Sequence, residues 1–346
     1  MKDKKRIFII TLITILFTYN TYAVDDITTG SSAGEFLKVG AAGAQFLKIG
    51  VGARGTGMAG AFGSLANDLT AIHWNPAGIA DIKGMSGNFN YTQWFAGFKH
   101  SFAAFALPVG DNFTAAAHVI SFSSDKIEIT TLERPQGTGL YYTVNDIALG
   151  LSFGGYLTDQ FSFGITAKLI NSAFSSISSS GFAFDVGTMY ETGIQGIKLG
   201  FSIHNLGTEQ TYSGQALATA KKLYDAMNAA PLDVVYVANS FSIPLIFRAG
   251  ASSTLIEDDM NKLIAALDFV TLSDTPEQFA LGLEYTYKGF LSLRGGYRIG
   301  QDQFNLAGGI GLNYIGGGFI GQLDYSINPT KDLGLVNRLS INVGLK

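Results

Sequence analysis

Hydrophobic residues alternate with small or polar residues along most of this chain. In the stretch NDIALGLSFGGY, Ile147, Leu149, Leu151 and Phe153 share one face, and small residues occupy the other. The same alternation recurs in QFSFGITAKLI, EQFALGLEYTYK and FNLAGGIGLNY. A period of two predicts β-strands with one apolar face. The runs are about ten residues long, whereas strands of soluble sandwiches usually have about 5–6 residues.

The length of the runs and the position of the charges indicate a barrel in a lipid membrane. A tilted strand crosses a bilayer in about 9–11 residues. The apolar faces carry no charge, and Lys168, Lys198, Glu284 and Arg294 fall on the opposite faces. The predicted strands cover residues 84–94, 97–107, 112–123, 145–155, 160–171, 181–190, 196–204, 244–253, 261–270, 277–287, 289–299, 302–314, 316–326 and 336–346. The predicted fold is all-β, a 14-stranded antiparallel transmembrane β-barrel with an even strand number, as in bacterial single-chain barrels.

The connections between these strands separate into two classes. Those after even-numbered strands are short, and those after odd-numbered strands include the long ones, at 124–144, 172–180, 205–243 and 327–335. Short periplasmic turns and longer extracellular loops show this asymmetry in outer-membrane barrels. Aromatic residues near strand ends fit interfacial girdles, although tyrosine also favours strands in general. They are Tyr91, Trp94, Tyr156, Tyr190, Tyr287, Tyr297, Tyr314 and Tyr325.

Composition narrows the function classes. Charged residues make up 14% of the 346 residues, against about 25% in soluble domains, so a lipid-facing surface is expected. The formal net charge is −4, and no cluster of Lys and Arg beyond the N-terminus suggests a nucleic-acid partner. The chain has no cysteine, which excludes disulfides, thiolate metal sites and cysteine nucleophiles.

The N-terminus has the pattern of an export signal. MKDKKR is basic, IFIITLITILF is apolar, and TYA places small residues before a cleavage site, so residues 1–23 are predicted to be a signal peptide. The alternative is a short N-terminal anchor, although the apolar run is shorter than the ~20 residues of a membrane-spanning helix. The predicted domains that follow are a plug segment, 24–83, which does not alternate, and the barrel, 84–346. The plug segment contains two similar stretches, GEFLKVG and AQFLKIG.

Three patterns in this chain resemble sites of chemistry, and each has a structural interpretation. GTGMAG matches a dinucleotide-binding fingerprint, but no parallel α/β pattern follows it, and the glycines also allow close backbone packing. Asp68 and His73 could pair, yet no serine nucleophile motif accompanies them. His100, His118 and His204 are isolated on predicted strands without metal-ligand spacing. We therefore predict no catalytic residues, no metal and no cofactor.

FLKIGVGARGTGMAGAF (46–62) and ANDLTAIHWNPAGIA (66–80) resemble the N-terminal signature of the PorV/PorQ family of outer-membrane proteins, which is related to the FadL-type fatty acid transporters. The Asn75-Pro76-Ala77 triplet matches the NPA element that FadL relatives place in a plug inside a fourteen-stranded barrel. The sequence predicts that Asn75 caps a short turn, that Pro76 begins it and that Gly78 ends it. Trp74, Asn75, Pro76, Ala77 and Gly78 form the predicted structural plug motif. The chain departs from the family pattern in two respects: the FLKxG element occurs twice, at 36–40 and 46–50, and the last residue is not aromatic.

The resemblance implies a location in the outer membrane of a Gram-negative cell and a non-enzymatic role in type IX protein secretion. The expected partners are lipid, the secretion translocon and the C-terminal domains of its cargo. The stretch ALATAKKLYDAMNAA (216–230) predicts an amphipathic helix in a surface loop. The candidate contact residues are Glu133, Arg134, Tyr141, Tyr142, Leu217, Tyr224 and Met227.

Two further functions come from different classes. One is FadL-like passage of hydrophobic small molecules such as long-chain fatty acids, which requires an apolar pocket in the lumen. The inward faces in the alternating runs are mostly Gly, Ala, Ser, Thr and Asn, which does not favour an apolar conduit. The other is a protease or phospholipase, which requires a nucleophile and base that no motif in the sequence indicates.

Overall fold

The computed structural model describes residues 42–194, 196–222 and 230–345. The predicted signal peptide, the first FLKxG element, and Tyr224 and Met227 lie outside the described residues. Among the described residues, no helix is long and apolar enough to cross a membrane.

Fourteen antiparallel strands of the described chain form one closed barrel, as the alternating pattern predicted. Each strand pairs with the next, and the first pairs with the last from Ser86↔Gly344 to Gln93↔Asn337. The strands are β1 Ser86–Gln93, β2 Lys99–Val109, β3 Phe113–Ser123, β4 Val144–Thr158, β5 Phe161–Phe174, β6 Ile177–Glu191, β7 Lys198–Gly207, β8 Ile246–Glu257, β9 Asn261–Leu272, β10 Thr275–Tyr287, β11 Leu291–Ile299, β12 Leu306–Gly316, β13 Phe319–Pro329 and β14 Leu335–Leu345. Closure leaves no strand edge unpaired in the wall, as lipid requires.

The wall of the barrel is apolar outside and polar inside. Leu149 and Leu151 of β4 are 49% and 69% exposed, whereas Lys168, Glu284 and Arg294 are buried in the lumen. The outer surface therefore faces lipid, because a large exposed apolar belt is not stable in water. The ends with short connections define the periplasmic side, and the other ends define the extracellular side.

Two of the predicted long loops are shorter in the structure. β5 continues to Phe174 and β6 begins at Ile177, so the predicted loop 172–180 is mostly strand. Apart from Ile177, its ISSSG sequence has no large apolar residue, because the strands here extend beyond the apolar belt. The last connection shrinks to residues 330–334. The remaining long loops, 124–143 and 208–245, are both extracellular.

The helix predicted over 216–230 is wrong for its first half. Gln215–Leu217 form one 3₁₀ turn, and Ala218–Lys221 form a strand that pairs with Leu232–Val235. Four ladder pairs between these short strands outweigh the helix propensity of alanine and lysine, which is a weak preference. In the other loop, Ile127–Glu128 pair with Tyr141–Tyr142.

Six of the predicted girdle aromatics lie on the outer surface, namely Tyr91, Tyr190, Tyr287, Tyr297, Tyr314 and Tyr325. Trp94 instead follows β1 and lines an internal cavity at the extracellular end. Tyr156 turns inward, and its hydroxyl donates to Asp81. The prediction was wrong for these two residues because proximity to a strand end does not determine which way a side chain points.

Residues 42–85, called the plug below, lie inside the barrel. They form a 3₁₀ turn over Gln45–Lys48, helix α1 over Ala53–Gly57, helix α2 over Ala71–Trp74 and a 3₁₀ helix over Pro76–Asp81. Much of the plug is buried against the wall, with Met58, Phe62 and Ile79 fully inaccessible. The plug thus supplies the main part of the hydrophobic core, in the space that would otherwise be an open pore.

Candidate functional site

The motif Trp74 to Gly78 lies at the centre of the plug. Asn75 is completely buried and caps the 3₁₀ helix by accepting a hydrogen bond from Ala77 N at 3.1 Å. Its amide nitrogen donates to Gly63 O at 2.9 Å, within the plug, and to Thr188 O at 3.1 Å, in β6. Asn75 therefore joins the plug to the wall while it caps the turn.

Pro76 starts the 3₁₀ helix, as its fixed φ favours. Gly78 lies within this helix and does not end it, which corrects the sequence prediction. A Cβ atom at position 78 would overlap the carbonyl of Ala66, so glycine is needed for close approach of the chain.

Trp74 packs mainly inside the plug and also against the wall. Its indole nitrogen donates to Val51 O at 2.8 Å, and its ring meets Phe62 edge-on with the centroids 6.2 Å apart. The guanidinium of Arg248 from β8 lies 4.9 Å from the ring centroid. The contact with Arg248 is a cation–π interaction in a buried setting.

Asp68 and His73 do not form a pair. Asp68 accepts the backbone N–H of Thr70 at 2.8 Å, and its other oxygen lies 3.8 Å from Arg54. His73 packs edge-on against Trp74 and lines the extracellular cavity described below. The two side chains thus serve different parts of the plug.

Glycines on the inner wall make room for the plug. A Cβ atom at any of five inward positions would come closer to a plug atom than real Cβ atoms approach. These positions are Gly164, Gly187, Gly200, Gly282 and Gly296. The small inward faces seen in the sequence therefore accommodate the plug and do not describe the surface of a conduit.

A buried charge network holds the first helix of the plug. Arg54 in α1 donates two hydrogen bonds to Glu284 of β10, both 2.8 Å long. Arg294 of β11 donates to the same carboxylate at 2.6 Å and to Asp324 of β13 at 2.6 Å. Removal of one partner from a buried, hydrogen-bonded ion pair of this kind is costly, because it leaves the other charge uncompensated.

A cavity of about 380 Å³ lies on the extracellular side of the plug. Aromatic side chains from the plug, the strands and the mouth line it, namely Phe46, Trp74, Trp94, Phe102, Phe122 and Phe304. Trp94 follows β1 and stacks on Phe304, which precedes β12, with the centroids 5.4 Å apart. The alternation in FNLAGGIGLNY places Phe304 on the apolar, lipid-facing side of the predicted strand 302–314. In the structure β12 begins two residues later, at Leu306, and Phe304 lines the mouth.

Residues 42–49 of the plug reach the extracellular rim. Gly43 N donates to Ser242 O at 2.9 Å in the long loop. Lys48 lies 3.0 Å from Asp274, and Gln45 donates to the same carboxylate at 2.7 Å. The second FLKxG element is therefore tied to the barrel mouth and forms part of the cavity wall.

Two arginines give the cavity a positive side. Arg298 donates to Ala59 O at 2.8 Å and to Gln301 at 3.1 Å. Arg338 donates to Asn328 and lies with its guanidinium 5.8 Å from the Trp94 ring centroid. Among the described residues, no carboxylate is within ion-pair distance of either arginine. An aromatic cavity with two unneutralised cations suits an apolar molecule with a negative end.

Asp185 and His204 line the opposite cavity wall, and a serine lies in contact with His204. Ser202 Oγ lies 2.9 Å from His204 Nε2, and His204 Nδ1 lies 3.3 Å from Asp185, where sequence motifs indicated no such arrangement. Asp185 also forms an ion pair with the Lys168 ammonium, at 2.8 Å. Ser202 donates to the carbonyl of Trp74 and is 3% exposed beneath the plug. This group therefore anchors the plug, since its hydroxyl is engaged and covered.

The strand ladder is irregular beside this group. The pairing of β6 with β7 shifts between Phe184 and Val186, and Asn205 adopts φ 62°. Asn205 fills the irregular site by donating to Pro244 O at 2.9 Å.

The remaining candidate residues lie elsewhere. Within the described residues, no group of three His, Asp or Glu side chains could hold a metal ion. Glu133, Arg134 and Tyr141 are exposed on the first long loop, while Tyr142 and Leu217 are half-buried. They do not line the cavity.

The sequence matches no known protein-family model, and it matches no curated protein. The toluene transporter TbuX of Ralstonia pickettii has a similar structure, with a TM-score of 0.55 and 13% identity over 85% of this chain and 97% of TbuX. The toluene transporter TodX of Pseudomonas putida also has a TM-score of 0.55 and 13% identity, over 85% of this chain and 96% of TodX. A FadL homologue of Pseudomonas aeruginosa has a TM-score of 0.50 and 13% identity, over 85% and 98%.

The fold is that of the FadL-like barrels. This agreement confirms the fourteen-stranded, plugged architecture expected from the FadL side of the resemblance. At 13% identity the likeness shows the fold alone. The relation to PorV and PorQ stays a prediction.

Proposed function

We propose that this barrel binds small, hydrophobic molecules with an anionic end in the extracellular cavity and passes them inward. The observation that carries this proposal is the pairing of an aromatic lining with Arg298 and Arg338, which have no carboxylate partner among the described residues. A cavity of about 380 Å³ is at the lower end of the usual range for small-molecule sites, ~300–1,000 Å³.

The comparisons support the apolar part of this proposal. TbuX and TodX are described as toluene transporters, and TodX as a monoaromatic hydrocarbon channel. Their shared fold makes a hydrophobic ligand reasonable here, while the anionic end is argued from this chain's own arginines. Phe102, Ile120 and Phe122 of β2 and β3 also point inward and give the cavity an apolar surface. The alternating runs considered in the sequence analysis have mostly small or polar inward residues and did not indicate such a surface.

Binding of 4-phenylbutyrate should change the fluorescence of Trp94, and 4-phenylbutanol should bind at least tenfold more weakly. A charge-assisted hydrogen bond contributes about 1.5–3 kcal/mol, so Arg338→Gln should weaken binding of the acid about tenfold and leave the alcohol unchanged. Fluorescence titration of the purified barrel measures both ligands, and Trp94→Phe should remove the Trp94 component, so that only the signal of Trp74, which also lines the cavity, remains. No saturable change with either ligand would overturn the proposal.

A second candidate is recognition of exported proteins in type IX secretion, as the PorV/PorQ resemblance implies. The observation that favours it is the exposure of large apolar side chains on the extracellular loops, with Leu132 and Val237 103% and 92% exposed. A shallow recess beside Tyr141 and Tyr142 adds a contact surface.

For this second candidate, the full barrel should capture the purified C-terminal domain of a type IX cargo protein. A variant whose hairpin 218–235 is replaced by a short Gly-Ser turn should lose capture, whereas Lys262→Gln, at the periplasmic end, should keep it. Equal capture by all three proteins would show that the hairpin is not the contact surface. No capture by the full barrel would exclude this function.

A further inference from the structure

The lysines and arginines that line the extracellular cavity leave two positive charges uncompensated. Among the described residues, those that line it are Lys48, Lys168, Arg248, Arg298 and Arg338. Each of the first three is paired with a carboxylate, at 3.0 Å, 2.8 Å and 3.2 Å, from Asp274, Asp185 and Asp268 respectively. Arg298 and Arg338 have no such partner in the described part of the chain, so the lining keeps two unit charges.

Arg298 and Arg338 hold the same turn of the plug. Arg298 Nε donates to Ala59 O at 2.8 Å. Arg338 donates to the amide oxygen of Asn328, whose amide nitrogen donates to Thr56 O at 3.1 Å. Ala59 N also donates to Thr56 O, at 3.1 Å, so both carbonyls belong to one turn. The two guanidiniums therefore lie on the same side of the plug, where they repel each other.

Both guanidiniums are set into the protein with donors left unused. Arg338 is 5% exposed, and its Nε atom is buried without a hydrogen-bond partner. Arg298 lies against Gly60, where a Cβ atom would come 1.8 Å from Arg298 Nη2. Gly60 has φ 84°, a backbone conformation that favours glycine. Since unpaired charge and unused donors are costly in an interior, this arrangement calls for an acceptor from outside the chain.

The charge of the pair distinguishes between classes of acceptor. A carboxylate carries one negative charge and would leave one arginine uncompensated. A phosphate monoester carries about −1.5 to −2 charges at pH 7 and has three strong acceptor oxygens. The planar fork of a guanidinium also matches phosphate oxygens in a bidentate arrangement. Two arginines without carboxylates thus fit one phosphate monoester better than one carboxylate.

We propose that the cavity binds the phosphate monoester of an apolar alcohol, with the phosphate between Arg298 and Arg338. This inference rests on the proposed function and names the chemical class of its anionic end. The apolar group would lie against the adjoining aromatic residues. Trp94 stacks on Phe304 with the centroids 5.4 Å apart, and the Arg338 guanidinium is 5.8 Å from the Trp94 ring centroid.

Three ligands that differ only at the charged end test this assignment: 4-phenylbutyl phosphate, its methyl diester and 4-phenylbutyrate. At about pH 8 the monoester is a dianion, because its second pKa is about 6, and the other two ligands carry one charge. Fluorescence titration of the purified barrel should give a Kd for the monoester that is at least about tenfold lower than for either monoanion. Equal Kd values for all three would overturn the phosphate assignment and retain the proposed function. No binding of any of them would overturn both.

Removal of one arginine should abolish the preference for the dianion. Arg298→Gln leaves one uncompensated cation, so the monoester and the methyl diester should bind with similar affinity. Lys262→Gln removes a cation at the periplasmic end and should keep the full preference, which controls for overall charge. The gel mobility of unboiled samples checks that each variant is folded. An undiminished preference in folded Arg298→Gln would reject the two-arginine site.

Inorganic phosphate distinguishes an amphiphilic ligand from a free ion. It should displace 4-phenylbutyl phosphate much more weakly than unlabelled monoester does, because it makes no contact with the aromatic lining. Displacement at equal concentrations would show that the site takes the free ion and would overturn the assignment of an apolar alcohol.

Discussion

Replacement of Glu284 by glutamine is expected to weaken the seating of the plug by about 3–5 kcal/mol, because removal of one partner leaves buried charge uncompensated. Glu284 is the carboxylate shared by Arg54 and Arg294, with contacts of 2.6–2.8 Å. In the variant, Asp68, at 3.8 Å, is the only carboxylate within ion-pair distance of Arg54 among the described residues. Urea titration in a Trp94→Phe background, where Trp74 reports on the plug, should show a lower midpoint.

Glu257→Gln is the matched control for this change. Glu257 pairs with Lys262 at 2.7 Å, but both side chains are largely exposed at the periplasmic end. Exposed ion pairs contribute about 0–1 kcal/mol, so this variant should unfold like the parent barrel. Similar midpoints for Glu284→Gln and Glu257→Gln would contradict the assignment of Glu284 as an anchor of the plug.

The wall of the barrel could be predicted from the sequence because lipid imposes a simple rule. Every strand that crosses the bilayer needs about ten residues, and the alternate residues that point outward must be uncharged. This requirement is local. Runs such as that from Ile147 to Phe153 therefore identified strands and faces together. The rule fails beyond the bilayer, which is why the strand extensions on either side of Ser175 were predicted as a loop.

The candidate site could not be predicted in the same way, because its contacts join distant parts of the chain. Arg54 and Glu284 are 230 positions apart, and the Ser202–Trp74 contact spans 128. Alternation placed Glu284 in the lumen without indicating its partner. The arginines of the cavity, Arg298 and Arg338, lie on inward faces near strand ends, and their lack of carboxylates emerges only in three dimensions.

The inward glycines led the sequence analysis to a wrong conclusion about the lining of the lumen. The sequence presented them as a small, polar lining that disfavours a hydrophobic route. In the barrel they instead face plug backbone, and the apolar cavity lies above them, built from loop ends and the plug itself. A small residue on the inner wall indicates that another part of the molecule approaches closely. The structure identifies that part as the plug, residues 42–85.

Gly296→Ala tests this interpretation and is expected to destabilise the seated plug by about 1–3 kcal/mol, the usual cost of overpacking. The added Cβ would overlap the backbone of Met58 and Ala59, which cannot rotate aside as a side chain could. The plug must therefore shift at its contact with β11. The expected results are a lower urea midpoint for Trp74 and faster leakage of a small solute from liposomes.

The neighbouring glycine provides the control. Gly295 points outward, and a Cβ there would meet nothing within 4 Å. Because glycine in a strand interior carries an entropic cost relative to alanine, of about 0.5–1 kcal/mol, Gly295→Ala should be neutral or slightly stabilising. Two methyl groups added one residue apart should thus have different effects on the stability of the plug: Gly296→Ala should lower it, and Gly295→Ala should leave it unchanged or raise it slightly. Equal changes in the urea midpoint for the two variants would mean that the inner face of β11 does not pack against the plug.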